Sequence, residues 1–287
     1  MVCHTTTTDF FIIKHRFLFE LNNAINLHFK NLQNSIFVHQ RNNIFSIIFF
    51  SGTTGSPKAV MCSQDNLTWC GGNYSKYFNL KPDHHTILSY LPLNHIAGQI
   101  ADIYCTVTGR ACIVFAEPDA LKGSLAITLK EVQPTGFLTV PRLLERIYDK
   151  INSQIDTAGV AKNAILTWAR NQALNYYGAI IDGRDLTQFE IYNYKLAKSL
   201  VLDNVKRSIG LYNIEHFGCA SAPISKEILK FFLSIDCPII DAFGLSESQS
   251  VATLGYMAKG GYREGSVGIP LPSVNIHIQE KSEVLKW

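Results

Sequence analysis

Four short hydroxyl residues, two glycines and a lysine fall within ten positions, Ser51-Gly52-Thr53-Thr54-Gly55-Ser56-Pro57-Lys58-Ala59-Val60. Those residue types at that spacing describe a cradle for an anion. Glycines let successive backbone N–H groups turn toward one point, and such a nest attracts phosphate. The hydroxyls of Ser51, Thr53, Thr54 and Ser56 add short donors, and Lys58 adds a charge. It is not the Walker form, which closes on Gly-Lys-Ser/Thr so that lysine and hydroxyl reach phosphate and magnesium. Here Pro57 precedes Lys58 and Ala59 follows it, and the proline brings no N–H. A plain small-residue turn would use the same glycines and hydroxyls but has no need of the lysine.

A second cluster is Asp241-Ala242-Phe243-Gly244-Leu245-Ser246-Glu247-Ser248. Phe243 offers a ring that can stack on a purine, Gly244 permits close approach, and Ser246 can donate to a phosphate. Glu247 offers a hard oxygen, the donor that Mg²⁺ prefers. Taken alone, the same octapeptide is also an ordinary turn with a solvated carboxylate. In Tyr90-Leu91-Pro92-Leu93-Asn94-His95 a strand ends at a proline and a histidine sits where a helix starts. The positive end of the helix dipole opposes protonation of such a ring, so His95 can touch a substrate carboxylate or simply cap and pack. In His216-Phe217-Gly218-Cys219-Ala220-Ser221-Ala222-Pro223 small residues follow a strand. They would let a flat ring lie against the backbone, and a strand-to-helix turn would explain them equally well.

The elements that must position these groups read as alternating strands and helices. Ile44-Phe45-Ser46-Ile47-Ile48-Phe49-Phe50 is short, apolar and β-branched or aromatic, which predicts a buried strand leading into the cradle. Ser63 before Gln64-Asp65-Asn66 suits a helix N-cap, with the helix running toward Asn79. A strand is expected over Thr86–Leu91 and a helix over His95–Thr108 closed by Gly109. Ala111–Ala116 reads as a strand, Leu121–Val132 as a helix, and Thr135–Val140 as a strand. Pro141 opens a helix whose Leu144, Ile147, Ile151 and Ile155 share one face. Ala158–Gly210 reads as two long helices around Asp182-Gly183-Arg184. Further strands are expected at Ile214–Phe217, Pro238–Ala242 and Val274–Gln279. The rhythm predicts an α/β fold, a mostly parallel sheet with helices on both faces. Residues 1–43, rich in Thr and Asn, stay unassigned apart from one helix over Phe17–Phe29.

A length of 287 residues with 47% hydrophobic content is enough for a sizeable core. Net charge is +3 with no long basic block, which argues against a nucleic-acid partner. Seven cysteines with no Cys-x-x-Cys pair suit unpaired thiols in a reducing compartment better than a disulfide framework. No apolar run reaches the roughly 18 residues of a membrane span, and the charged break at Lys14-His15-Arg16 spoils a signal peptide.

Ser51 to Val60 resembles the phosphate loop of the adenylate-forming (AMP-binding) superfamily, Thr-Ser-Gly-Thr-Thr-Gly-x-Pro-Lys-Gly-Val. The departures are Phe50 for the leading threonine and Ala59 for the last glycine, and Ala59 would be strained if that position needed a positive φ. Phe243 to Glu247 resembles the family's Tyr-Gly-x-Thr-Glu motif, with Phe243 short of a hydroxyl and Ser246 short of a methyl. Tyr90–His95 is similar to the Pro-Leu-x-His of acyl-CoA synthetases, and Gly218 to Pro223 is a looser match to the Gly-x-Ala-Pro turn. The Phe115–Leu125 run and the Ser89–Gln99 block are similar to the long-chain acyl-CoA synthetases of the bubblegum type.

The resemblance covers roughly residues 44 to 279, and it implies a partial adenylation domain over residues 44–287. It implies that ATP, Mg²⁺, CoA and a fatty acid meet here. Ser51, Gly52, Thr53, Thr54, Gly55 and Lys58 would hold phosphate, and Gly218, Ala222, Phe243 and Gly244 the adenine. Ser246 would meet phosphate, Glu247 magnesium, and His95 the acyl carboxylate. The family's ribose-binding aspartate, hinge and C-terminal lid with its lysine would lie beyond Trp287, so a fragment with an incomplete site is expected. The implied setting is cytoplasmic, with peripheral contact to membranes such as the endoplasmic reticulum. Two other readings stand beside the long-chain ligase: a non-catalytic nucleotide- or acyl-binding module, and an aryl-acid or luciferase-like adenylate former.

Overall fold

The computed structural model describes residues 12–13, 44–50, 58–157, 159–272 and 274–277. The helix expected over Phe17–Phe29 and the cradle at 51–57 lie outside them. The strands are β1 (Ile12–Ile13), β2 (Ile44–Phe50), β3 (Lys58–Ser63), β4 (Thr86–Ser89), β5 (Cys112–Phe115), β6 (Gly136–Thr139), β7 (His216–Cys219), β8 (Ile240–Leu245), β9 (Ser250–Leu254) and β10 (Ile269–Pro270). The helices are α1 (Gln64–Tyr77), α2 (Cys105–Gly109), α3 (Leu125–Val132), α4 (Pro141–Asp156), α5 (Val160–Asp182), α6 (Gln188–Ala197), α7 (Asp203–Ile209) and α8 (Lys226–Ser234). Single π-helical stretches, Gly98–Tyr104 and Lys198–Leu202, lead into α2 and α7.

One eight-stranded sheet runs in the order β1-β5-β4-β6-β7-β8-β9-β10. Its centre, β5-β4-β6-β7-β8, is parallel, and β1, β9 and β10 pair antiparallel at the margins. A parallel pair needs a crossover, so helices cover both faces. On one face Leu88, Val114, Phe137 and Phe217 pack with Leu129 of α3, Leu144 and Ile151 of α4, and Phe231 and Phe232 of α8. On the other, Leu67, Cys70 and Tyr74 of α1 meet Ile96, Ile100, Cys105, Ala242 and Leu254. Leu144 and Ile151 are buried while Ile147 and Ile155 are partly so, so the expected single face of that helix is the packed one.

Three expectations need correction. The Ile44–Phe50 run is a strand but not a buried one. It pairs antiparallel with β3 alone, in a separate two-stranded sheet. Only one face is covered, so Ile48 is buried while Ile44, Phe45, Ile47 and Phe49 are exposed. The helix after His95 starts at Ile96 and is π-helical over Gly98–Tyr104, and its left-handed end is Arg110 (φ 53), not Gly109. Gly109 answers to packing: a Cβ there would stand 2.8 Å from Cβ of Leu80. Val274 to His277 form no strand. Ser63 does cap α1, accepting from the Asn66 N–H while Asn66 returns the bond, and Gly183 ends α5 at φ 65. The six described cysteines form no disulfide.

The helical section from α5 to α7 is fastened to the sheet side by one buried carboxylate. Asp236, 3% exposed, sits after α8. Its Oδ1 accepts from the Tyr177 hydroxyl at 2.8 Å and the Tyr194 hydroxyl at 2.5 Å. Its Oδ2 accepts from Lys198 Nζ at 2.7 Å and Lys206 Nζ at 3.1 Å. Burial pushes the pKa of Asp236 up, but the Lys206 charge and the bonds from Lys198 and Tyr194 outweigh it and hold it below its usual value. A carboxylate depressed in the fold stabilises above its unfolded pKa of about 3.9, and that stabilisation is lost as pH falls through the folded value. Asp236→Asn takes the counter-charge from the buried Lys206 ammonium and one of two carboxylate partners from the half-buried Lys198. It should cost about 3–5 kcal/mol at pH 7, read by urea melts, with the gap to wild type narrowing at pH 3.

Candidate active site

In a parallel sheet every strand ends on the same edge, and open α/β sheets bind ligands outside those carboxyl ends where the strand order reverses. Here β5 lies on one side of β4 and β6 on the other, so the reversal falls between β4 and β6. His95 lies in the turn after β4, Gly218 to Ala222 span the end of β7 and the turn beyond it, and Phe243 to Glu247 span the end of β8 and its turn. Strand direction and topology thus bring these groups to one edge.

His95 is exposed in the turn after β4. Its N–H donates to the Pro92 carbonyl at 3.1 Å, and its Nδ1 accepts from the Ala97 N–H at 3.2 Å. That bond uses Nδ1 as an acceptor and leaves Nε2 of the exposed ring to carry a proton. The turn is strapped from below, since Gln99 Nε2 donates to the Leu93 carbonyl at 2.8 Å. Gly98 lets the helix come close: a Cβ there would stand 3.0 Å from the Pro92 oxygen.

Gly218 lies within β7, where a Cβ would meet Leu138 Cδ1 at 3.2 Å. Ala222 is exposed in the turn beyond. Between them Ser221 holds φ 80, a conformation costly for a residue with a Cβ and found mostly where a site demands it. Sequence reasoning passed over Ser221, and its only signal was its place in a run of small residues. Phe243 is 46% exposed while Ala242, the neighbour on the opposite face, is buried. A register shift between Phe243 and Gly244 against β9 re-aims the end of β8. The turn then closes on Ser248, whose Oγ accepts from the Leu245 N–H and donates to its carbonyl, each at 3.1 Å. The Ser246 carbonyl closes the same turn, accepting from the Gln249 N–H at 3.1 Å. Glu247 is exposed at the tip. Its carboxylate and the neighbouring serine hydroxyls are hard oxygen donors of the kind Mg²⁺ takes.

Ser51, Gly52, Thr53, Thr54 and Gly55 lie outside the described residues. Lys58 opens β3 opposite Phe50 and is exposed. Ala59 pairs with Phe49 in the strand without a positive φ, so the substitution for glycine carries no strain. The Lys58 strand is tied to the Glu247 turn through its other end, where Cys62 hydrogen-bonds Gln249.

Beneath this edge runs a cavity of about 130 Å³. Its lining runs from Ala97, Ala220 and Ala242, the neighbour of Phe243, to Gly136, Glu215 and His216 at the amino-terminal side of the sheet. The walls are apolar except at a few points, of which Asp102 is the most unusual. Asp102 is 1% exposed, its carboxyl bonds the Ser89 hydroxyl, and its Oδ2 has no partner. Burial pushes it up to about 7, against a small lowering by Ser89. No sequence signal marked it, because an isolated aspartate in an apolar helix has no motif.

The family described as AMP-binding enzyme matches residues 17–285, a match that starts inside the segment left unassigned above. The human long-chain-fatty-acid–CoA ligase ACSBG2 is 42% identical over 208 residues, 72% of this chain and 31% of that protein. The rat ACSBG2 is 39% identical over 254 residues, 87% of this chain and 37% of that one. The chain spans about a third of the length of these curated relatives. Among solved structures it resembles the o-succinylbenzoate CoA synthetase of Bacillus subtilis in complex with its acyl-adenylate intermediate. The TM-score is 0.56 at 18% identity, covering 86% of this chain and 39% of that one. The Vibrio cholerae adenylation domain AlmE, in complex with glycyl-adenosine-5'-phosphate, gives 0.53 at 17% identity over 81% and 34%. At such identities the two structures speak for the fold.

The Asp102 carboxyl generates a prediction with a defined sign. Its pKa is raised from 3.8 to about 7, so the folded chain keeps a proton that the unfolded chain releases. Stability therefore falls by up to about 4 kcal/mol as pH rises from roughly 4 to 7, then levels. Asp102→Asn should raise the melting temperature at pH 8 and change it little at pH 4. Equal effects at both values would contradict the assigned cause.

Proposed function

The chain belongs to the AMP-binding enzyme family, and from that premise we propose that it carries the nucleotide- and acyl-binding part of a long-chain fatty acid–CoA ligase. One observation carries the reading: the segments with His95, Gly218 to Ala222 and Phe243 to Glu247 come to one edge of the sheet, at one end of an apolar cavity. The names of the relatives supply the substrate class, and the cavity walls suit a hydrocarbon chain.

In the first half-reaction a fatty carboxylate oxygen bonds to the α-phosphorus of ATP, and the bond from that phosphorus to the bridging oxygen breaks, releasing pyrophosphate. Negative charge grows on the phosphates. Lys58 and the donors at Ser51, Gly52, Thr53, Thr54 and Gly55 are assigned to hold it, and fixed donors outperform water because they need no reorganisation. Phe243 stacks on adenine, Gly218, Gly244 and Ala222 let the flat base approach, and Ser246 meets phosphate. Glu247 is the residue to hold Mg²⁺, an ion that supplies charge neutralisation on phosphate oxygens when bound. The Nε2–H of His95 orients the acyl carboxylate. In the second half-reaction the CoA thiolate attacks the acyl carbon and AMP leaves with the electron pair of the broken C–O bond. No protein nucleophile is required, so positioning and electrostatics carry the rate. The setting is cytoplasmic with peripheral contact to membranes such as the endoplasmic reticulum. Among the described residues no helix is long and apolar enough to cross one.

The test is fatty-acid-dependent ATP–pyrophosphate exchange on the complete protein with acids of graded length. Exchange is expected with long-chain acids. Lys58→Ala and Glu247→Ala are expected to lower it about 100-fold without loss of fold. His95→Ala should depress thioester formation more than ATP affinity. Exchange confined to aromatic acids would replace the long-chain reading by an aryl-acid ligase. ATP binding with no exchange for any acid would leave a binding module.

A further inference from the structure

The opposite, amino-terminal edge of the sheet holds a cluster to which the reaction above gives no role, although Glu215 also lines the far end of the cavity. His84 and His85 immediately precede β4, and Glu215 immediately precedes β7. One ligand atom from each, two imidazole nitrogens and a carboxylate oxygen, lie within 4.8 Å of one another. His84 Nε2 stands 2.7 Å from Glu215 Oε1. We propose that His84, His85 and Glu215 form a Zn²⁺ site that clamps the start of β4 to the start of β7.

An ordinary ion pair would account for His84 and Glu215, whose side chains are 52% and 45% exposed. It does not account for His85. That ring is 2% exposed, and neither nitrogen makes a hydrogen bond of ordinary geometry, although the Asn79 backbone lies close enough to favour the charged form. A buried polar group left without a partner costs about 1–3 kcal/mol, and a metal ion would take up one of its nitrogens.

The backbone under the cluster is fixed. Glu215 and His216 both donate to the Thr135 carbonyl, at 2.8 and 2.9 Å. Thr135 N–H donates to the Thr86 carbonyl at 3.0 Å, and Thr86 N–H to Thr135 Oγ1 at 2.8 Å. Cys112 N–H holds the His85 carbonyl at 2.8 Å. Thr135 thus staples the segments that supply all three ligands. The edge-on contact of the two histidine rings, 4.6 Å between centroids, and His216 packed on His85 at 5.2 Å limit ring rotation.

Two donors on one tetrahedral zinc, each about 2.0–2.1 Å from the ion, are roughly 3.3 Å apart. Closing the cluster onto an ion therefore needs side-chain movement only. Two nitrogens and one carboxylate suit zinc better than Mg²⁺ or Ca²⁺, which favour all-oxygen sites. The exposed side of His84 and Glu215 leaves the fourth position to water and gives the ion a way in.

The experiment uses the tag-free chain, stripped with chelator and titrated with Zn²⁺ by calorimetry, with Co²⁺ as a visible-absorption reporter. One equivalent should bind with a dissociation constant near micromolar and raise the melting temperature. His84→Ala and Glu215→Gln, both at exposed positions, should each weaken binding at least about tenfold, while His277→Ala leaves it unchanged. No saturable uptake by the wild-type chain would overturn the site and leave an ion pair. Uptake unaltered in both variants would overturn the ligand assignment.

Discussion

Five neighbouring strands run the same way, and most of the architecture follows from that constraint. A parallel pair cannot be closed by a tight turn, so the first four of these strands are each followed by a crossover that must pack on the sheet, while β8 turns straight back into β9. The crossovers supply the helices of both faces, and the apolar clusters on either side are the consequence. The constraint also sorts the chain's ends of strands: every carboxyl end falls on one edge and every amino end on the other. His95, Gly218 and Phe243 belong to segments far apart in sequence and need no further device to face the same region. The same logic gathers His84, His85 and Glu215 at the far edge.

Around that sheet the structure spends polar interactions where apolar packing is thin. The section from α5 to α7 has only a small apolar cluster of its own, built on Ala169, Ala173, Ala197 and Leu202. Alanines bury little area, so this section leans on Asp236 and its four donors. Asp102 is the opposite case, a buried carboxyl with one hydroxyl for company. The first is held charged by two ammonium groups and the second is pushed toward the neutral form, which shows that burial alone does not decide the state of an aspartate.

Much of the fold was legible in the sequence because the signals were local and strong. Ser63 with Asn66 is a capping box, Pro141 opens a helix with a clean apolar face, and Gly183 ends one. The errors arose where tertiary context overrode a local rule. Gly109 read as a helix end, yet it is small because Leu80 presses on it, and Arg110 takes the left-handed turn. Ile44–Phe50 read as buried because it is apolar throughout, but period alone does not say whether a strand has neighbours on both sides. In the candidate site, Phe243, Gly244 and Glu247 were singled out by their order within a motif, and the structure places them together at the end of β8 and its turn. Asp102, Ser221 and the Thr135 staple were not singled out, since each acquires its meaning from contacts made across the sheet.

The central claim is that the carboxyl edge receives the nucleotide. Photolabelling of the complete protein with 8-azido-ATP, followed by mapping of the modified peptides, addresses it directly. The account predicts that label falls on the peptides that contain Gly218–Ala222 or Phe243–Glu247 and is displaced by ATP. ATP-displaceable label confined to Val160–Ile209, or to the far edge around His84 and Glu215, would contradict it.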